Sequence, residues 1–335
     1  MKIYYSPEYV GAAYGFDTTR KAGWIADSLT DRPIDGVELL APPPLTPDEL
    51  ERVHDPEYIE AVRTGELRYL AESQGFDWDP ALWRMVLASN GGVLAAARAA
   101  LDDGVAGSLS SGLHHAKRDR GDGFCTFNGL VVAAKTLLDE SVARSVLILD
   151  LDAHCGGGTA QLVDRDPRIW HEDVSVDAFD HYSGHTNSAL WEVDQAEDYL
   201  LTVRQAVAQA DRIGPFDLCL YNAGMDPYER CGIGGLEGVT AEVLEQREQI
   251  VFDWCRQRGL PVAFAMAGGY VGSRLDQTTL VDLHRLTLTK GAIATTRVRS
   301  RDLQVSGTAR QPTGPHPTSG TFDMWPEPVD IADPH

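Results

Sequence analysis

The segment Leu149-Asp150-Leu151-Asp152-Ala153-His154-Cys155-Gly156-Gly157-Gly158-Thr159 sets two carboxylates and an imidazole at alternate positions. In extended backbone, residues two apart project to the same side. Asp152 and His154 there make a donor pair suited to a Zn2+-class ion. Asp150 shares their side, or turns inward to hold a neighbouring histidine or a second cation. The pair also fits an N-cap aspartate and a solvated histidine at a strand–helix turn. Three further segments carry chemistry-capable groups. Gly112-Leu113-His114-His115-Ala116 precedes Gly123-Phe124-Cys125-Thr126-Phe127-Asn128. Tandem histidines suit acid–base work near neutrality, and core-like Phe124 and Phe127 favour a pocket over a surface. Asp226, in Gly224-Met225-Asp226-Pro227, is a third carboxylate, although Asp-Pro also forms ordinary turns. In Ala267-Gly268-Gly269-Tyr270 the glycines admit a ligand close to the backbone, and the phenol can donate to a developing oxyanion. A tyrosine packed at a domain edge is the simpler account of that last segment.

The elements that must position these groups alternate. Lys2–Tyr5 reads as a strand, and Val146–Leu149 is a short continuous apolar run of the kind buried on both faces. Asp217–Tyr221 and Pro261–Met266 read likewise. Helix starts stand at Thr46-Pro47-Asp48-Glu49, Asp55-Pro56 and Asp79-Pro80. Helices are expected over Ala81–Leu101, ending near Gly104, and over Thr240–Arg258, ending at Gly259. Strands alternating with helices imply a mostly parallel sheet covered on both sides, with ligands at the carboxyl ends of its strands. The polar and glycine clusters fall just after those strands. One domain is expected over residues 1–305. A poorly ordered tail is expected over 306–335, since Gln311–His335 holds six of the 18 prolines.

Composition narrows the function. Among 335 residues there are 50 Asp+Glu against 29 Lys+Arg, a net charge of −21. So acidic a chain lacks the basic footprint that direct nucleic-acid binding needs, and it tolerates cationic substrates. Five scattered cysteines without a CxxC are expected to be reduced. No apolar run approaches the length of about 18 residues that spans a membrane. A cytoplasmic location, without membrane association, is the expectation.

Taken together, the segments resemble the histone deacetylase family of zinc amidohydrolases, which includes acetylpolyamine amidohydrolases and acetoin-utilisation proteins. The likeness is collinear from His54-Asp55-Pro56-Glu57-Tyr58 to near Thr289 and takes in Gly75-Phe76-Asp77. It implies an arginase-like three-layer α/β/α fold with a mostly parallel sheet of about eight strands. It further implies one catalytic zinc on Asp152, His154 and Asp226, with His114 and His115 beside the zinc-bound water. By the same likeness Tyr270 donates to the substrate carbonyl, Phe124 lines the acyl channel with Gly123 and Gly268 in contact with substrate, and Asp77 holds substrate at the rim. A structural potassium ion is implied at Asp150 and Ser175.

The activity so implied is hydrolysis of an N-acyl amine, acetyl-lysine in a peptide or a small acetylpolyamine, by a chain that can form a homo-oligomer. Three departures stand out. Family members back the second histidine with Asp or Asn three residues past the zinc histidine, whereas this chain has Gly157. His115, expected to be the base, therefore lacks that orienter. Cys155 replaces a common histidine, and Asp177–Ser188 replaces an aromatic-Pro-Gly-Thr-Gly wall, leaving His181 and His185 as rim residues. Gly157 keeps open a silent protein that binds an acylated ligand. A binuclear manganese ureohydrolase lacks ligands here, with Gly156 and a lone Asp226 where extra aspartates belong.

Overall fold

The structure, a computed structural model, describes residues 1–12, 14 and 19–306. Its sheet has eight strands: β1 (Lys2–Tyr4), β2 (Glu38–Leu40), β3 (Val105–Ser108), β4 (Val146–Asp150), β5 (Ile169–Ser175), β6 (Ser188–Glu192), β7 (Leu218–Asn222) and β8 (Val262–Ala265). Their order is β2-β1-β3-β8-β7-β4-β5-β6, and every pairing is parallel, so the sheet is wholly rather than mostly parallel. With helices between the strands, the architecture is the expected three-layer α/β/α.

The apolar runs are strands because both faces are covered. Leu147 and Leu149 of β4 pack in one core while Val146 and Ile148 pack in the other. Val262 and Phe264 of β8 face the first, Ala263 and Ala265 the second. Each sheet face thus receives every second side chain. The helices begin and end on their local signals. Thr46 and Glu49 form a capping box, Thr240 caps Ala241–Arg258, and the helix Leu82–Asp103 stops at Gly104. The final helix runs Gln277–Ser306, one residue past the expected domain end, and the expected tail from 307 onward lies outside the described residues. The five cysteines are free and buried. Among the described residues no helix is long and apolar enough to cross a membrane.

Strand β5 breaks the apolar pattern with buried His171, Glu172 and Asp173. Glu172 accepts from the indoles of Trp170 (2.7 Å) and Trp191 (2.8 Å). Burial pushes its carboxyl up to about 7, against the pull of those two donors and of Arg212. A carboxyl raised in the folded state holds a proton that the unfolded chain has released, so stability falls as pH climbs from about 4.3 to 7. Thermal midpoints followed across that range should fall more steeply for the wild type than for Glu172→Gln. Parallel slopes would remove Glu172 as the titrating group.

Candidate active site

Five strands adjacent in the sheet, β3, β8, β7, β4 and β5, deliver the loops that build the site at their carboxyl ends. Asp152, His154 and Asp226 come together there, all buried, with their donor atoms within 4.8 Å of one another. His154 Nδ1 lies 3.0 Å from Asp152 Oδ1 and 3.1 Å from Asp226 Oδ2. Backbone amides fix the acids: Ala153 N–H donates to Asp226 (3.0 Å) and Gly268 N–H to Asp152 (2.6 Å). Only glycine fits at 268, where a Cβ would fall 1.8 Å from Asp226 Oδ2.

The electrostatics of this trio call for a cation. Burial and the charge of Asp152 push the Asp226 carboxyl up to about 6. Against the burial penalty, Asp152 and Asp226 carry His154 up to about 11. Asp226 Oδ2 is buried and receives no hydrogen bond. Two carboxylates and an imidazole with an unsatisfied oxygen fit a zinc-class ion.

The tandem histidines border the trio. His114 Nδ1 meets Asp150 Oδ2 at 2.9 Å, and its Nε2 lies 3.5 Å from Asp152 Oδ1. Against burial, Asp150 and Asp152 carry His114 up to about 10. Burial, reinforced by the charge of His114, presses His115 down to about 4. The expectation that His115 has no acidic partner is corrected. Asp180, in the loop after β5, places Oδ2 3.1 Å from His115 Nδ1. The expectation looked only three residues past His154, whereas the carboxylate arrives from 65 residues along the chain.

The same loop brings Phe179, which the sequence reading had not singled out. Its ring stands edge-on to His115 (5.0 Å) and His154 (6.1 Å). Gly123 sits against it, since a Cβ there would lie 2.4 Å from the His115 ring and 2.9 Å from Phe179. Phe124 follows at φ 64°, held by its N–H donating to Gln74 O (2.9 Å), and packs on Phe76 at 5.2 Å. Asp77 lies exposed beside Phe76. Tyr270 brings its ring to 6.4 Å from that of His154, and burial, then the charges of Asp226 and Asp152, hold its hydroxyl protonated.

Asp150 and Ser175 engage different partners. Asp150 accepts from Asn222 Nδ2 (2.8 Å) and the Asp152 amide, while Ser175 Oγ faces the carbonyls of Ala153 (3.0 Å) and Asp177 (2.7 Å). His181 and His185 are away from the trio. His181 pairs with Glu192 at 3.2 Å and joins Cys155 in a second donor group, but burial lifts that thiol to about 12 and keeps it protonated. His185 lies 3.8 Å from Asp164.

Below the site sits a wholly buried ion pair. Arg247 binds Glu248 Oε1 (2.7 Å), Leu151 O (3.1 Å) and the Tyr199 hydroxyl (3.2 Å), and lies 3.6 Å from Met225 Sδ. Tyr221 donates to the same Glu248 oxygen at 2.7 Å. One guanidinium therefore braces both segments that carry the trio, at 151 and at 225.

A family model of the histone deacetylase domain matches residues 16–285. The chain belongs to the histone deacetylase family. It is 33% identical over 235 residues to an uncharacterized protein of Picosynechococcus sp., covering 68% of this chain and 77% of that one. It is 25% identical to a probable deacetylase of Methanothermobacter thermautotrophicus, covering 71% and 76%. Against histone deacetylase 2 of Arabidopsis thaliana it is 29% identical over 55% of this chain, spanning about half (49%) of the plant protein. The fold is that of the acetylpolyamine aminohydrolase of Burkholderia pseudomallei, with TM-score 0.71, 18% identity and 88% and 99% of the two chains covered. It is likewise that of the HD domain of HDA15, with TM-score 0.70, 19% identity and coverage of 91% and 96%.

In this histone deacetylase family chain, Arg247 gives a direct test of the brace. Arg247→Leu strands the Glu248 carboxylate in the core and should cost about 3–5 kcal/mol in urea unfolding. A loss below about 1 kcal/mol would show that the ion pair is replaceable by packing alone.

Proposed function

We propose that the chain hydrolyses an N-acyl amine, an acetyl group on a cationic amine being the substrate class that fits best. The observation that carries this reading is the meeting of Asp152, His154 and Asp226 directly beside a carboxylate-backed histidine pair. Asp152, His154 and Asp226 would hold the zinc ion. Bound there, zinc supplies a Lewis acid for the amide carbonyl and lowers the pKa of water to about 7.

The chain's own groups do the rest. Tyr270, its ring beside that of His154, donates a hydrogen bond from its hydroxyl to the carbonyl oxygen as negative charge gathers there. His115 takes the proton of the attacking water on Nε2, because Nδ1 is already engaged by Asp180, and returns it to the amine nitrogen as the C–N bond breaks, releasing carboxylate and free amine. His114, fixed by Asp150, lends positive charge beside the reacting carbonyl. Phe124 and Phe179 exclude water from the acyl group, with Gly123 giving the aromatic wall room to approach His115. Asp77 at the rim and the net charge of −21 suit an incoming cation, acetylpolyamine or acetyl-lysine peptide. A potassium ion would be held by Asp150 and by Ser175 Oγ with the carbonyls that face it. The Asp180 partner of His115 favours the hydrolase over a silent protein that binds an acylated ligand.

Asp226→Ala should lose both zinc and turnover, and stoichiometric zinc retained in that variant, read by metal analysis, would overturn the ligand set. Tyr270→Phe should keep its zinc while kcat falls roughly 10²–10³-fold, the size of a missing oxyanion donor. Amine release from acetyl-lysine peptides, acetylpolyamines and longer acyl-lysines, with a chelated control, checks both. Turnover that survives chelation would sink the zinc mechanism.

A further inference from the structure

We propose that Asp180 is a positioning residue for this hydrolysis, fixing the tautomer of His115 from the wall loop after β5 in place of a side chain at position 157. The inference rests on the amide-hydrolase reading for its role, though its geometry is independent of substrate.

Asp180 is held from three directions. Its Oδ2 accepts from His115 Nδ1 and from the Gly158 N–H, each at 3.1 Å, and its Oδ1 meets Lys117 Nζ at 2.8 Å. Lys117 is itself anchored, with Asp122 at 2.7 Å. The carboxylate stays ionised, since His115 and Lys117 outweigh its burial and hold it below the ordinary range. The neighbouring Phe179 ring, edge-on to His115, limits rotation of the imidazole.

The loop is tied to the segment carrying Asp152 and His154 by backbone bonds as well as by side chains. Cys155 N–H donates to Phe179 O (3.0 Å), and the amides of Val176 and Asp177 both donate to Ala153 O (2.8 Å). Asp180 is thus held near the histidine by the backbone of its own sequence neighbours, Val176, Asp177 and Phe179.

Position 157 is glycine for a complementary reason. A Cβ there would fall 2.3 Å from the Asp180 carbonyl oxygen and 2.6 Å from its Oδ1. The space that a side chain at 157 would need is filled by Asp180. The two histidines then have matched partners, Asp150 at the end of β4 for one and Asp180 in the loop after β5 for the other. An ionised acceptor on Nδ1 keeps the proton there and leaves Nε2 as the free lone pair, the state a base requires.

The test uses the zinc-loaded full chain. Long-range 1H–15N correlation spectra of histidine-labelled wild type should report His115 as the Nδ1–H form, and Nε2–H with Asp180 in place would overturn the proposal. Asp180→Ala should lower kcat about 10–100-fold with KM and bound zinc unchanged. Asp180→Asn, which keeps an acceptor on Nδ1 and gives up the Lys117 ion pair, should lie closer to wild type. Equal losses in both variants would assign Asp180 to the ion pair alone and defeat the idea. Gly157→Ala should displace Asp180, so the double variant Gly157→Ala/Asp180→Ala should be no slower than the worse single, whereas multiplied losses would separate the two positions. If the wild type turns over no acyl amine, the hydrolase reading has failed, and the tautomer spectrum still decides Asp180.

Discussion

A carboxylate without water must have something positive, or at least a proton, against it. The carboxyl ends of β4 and β7 gather Asp150, Asp152 and Asp226 at exposures of 0–2%, and most of the surrounding structure answers that crowding. Asp150 is met by His114 and the Asn222 amide, Asp152 by the Gly268 amide and His154, and Asp226 by the Ala153 amide and His154. These partners satisfy most of the acceptor capacity, yet Asp226 Oδ2 has only its ion-pair contact with His154 and receives no hydrogen bond. Three acids with two imidazoles remain one cation short. The loops are shaped by the same demand: backbone N–H groups can reach buried acids only where the chain runs tightly, and tight runs need glycine.

How legible each part was in the sequence follows from how locally it is encoded. Strand β4 and helix Ala241–Arg258 were readable because an apolar run and a pair of caps lie within the segment itself. Strand β5 was not, since the polar run His171, Glu172 and Asp173 is buried against partners remote in sequence, including Trp191 and Gly156. Short β3, Val-Ala-Gly-Ser, carries too little side chain to mark a strand, although it is buried throughout. At the site, Asp152 and His154 share a motif and could be named from spacing. Asp180 could not: its loop has no local signature, and its only trace was a glycine standing where an acceptor was due. The brace at Arg247 was equally hidden, because a charged residue on a helix ordinarily reads as a solvated face.

The division of labour between strand ends and connecting loops is uneven. The trio is fixed by the sheet and by the Arg247 pair beneath it, which grips both Leu151 and Met225. The walls of the pocket come from longer excursions after β3 and β5, carrying Phe124 and Phe179. Through Asp180 one of those walls also touches His115. One wall and the orientation of the His115 imidazole therefore share one segment, and a change in Asp177–Ser188 reaches both.

Phe124 carries a separate tension. Its φ of 64° lies in the left-handed region, where a side chain clashes with its own backbone at a cost of about 1–2 kcal/mol. Glycine at this position would relax the turn that Gln74 now holds in place, and it would remove the ring that packs on Phe76. On the hydrolase reading proposed above, stability and turnover consequently pull position 124 in opposite directions. A thermal screen that scored folded protein alone would discard the aromatic ring that an activity screen would keep.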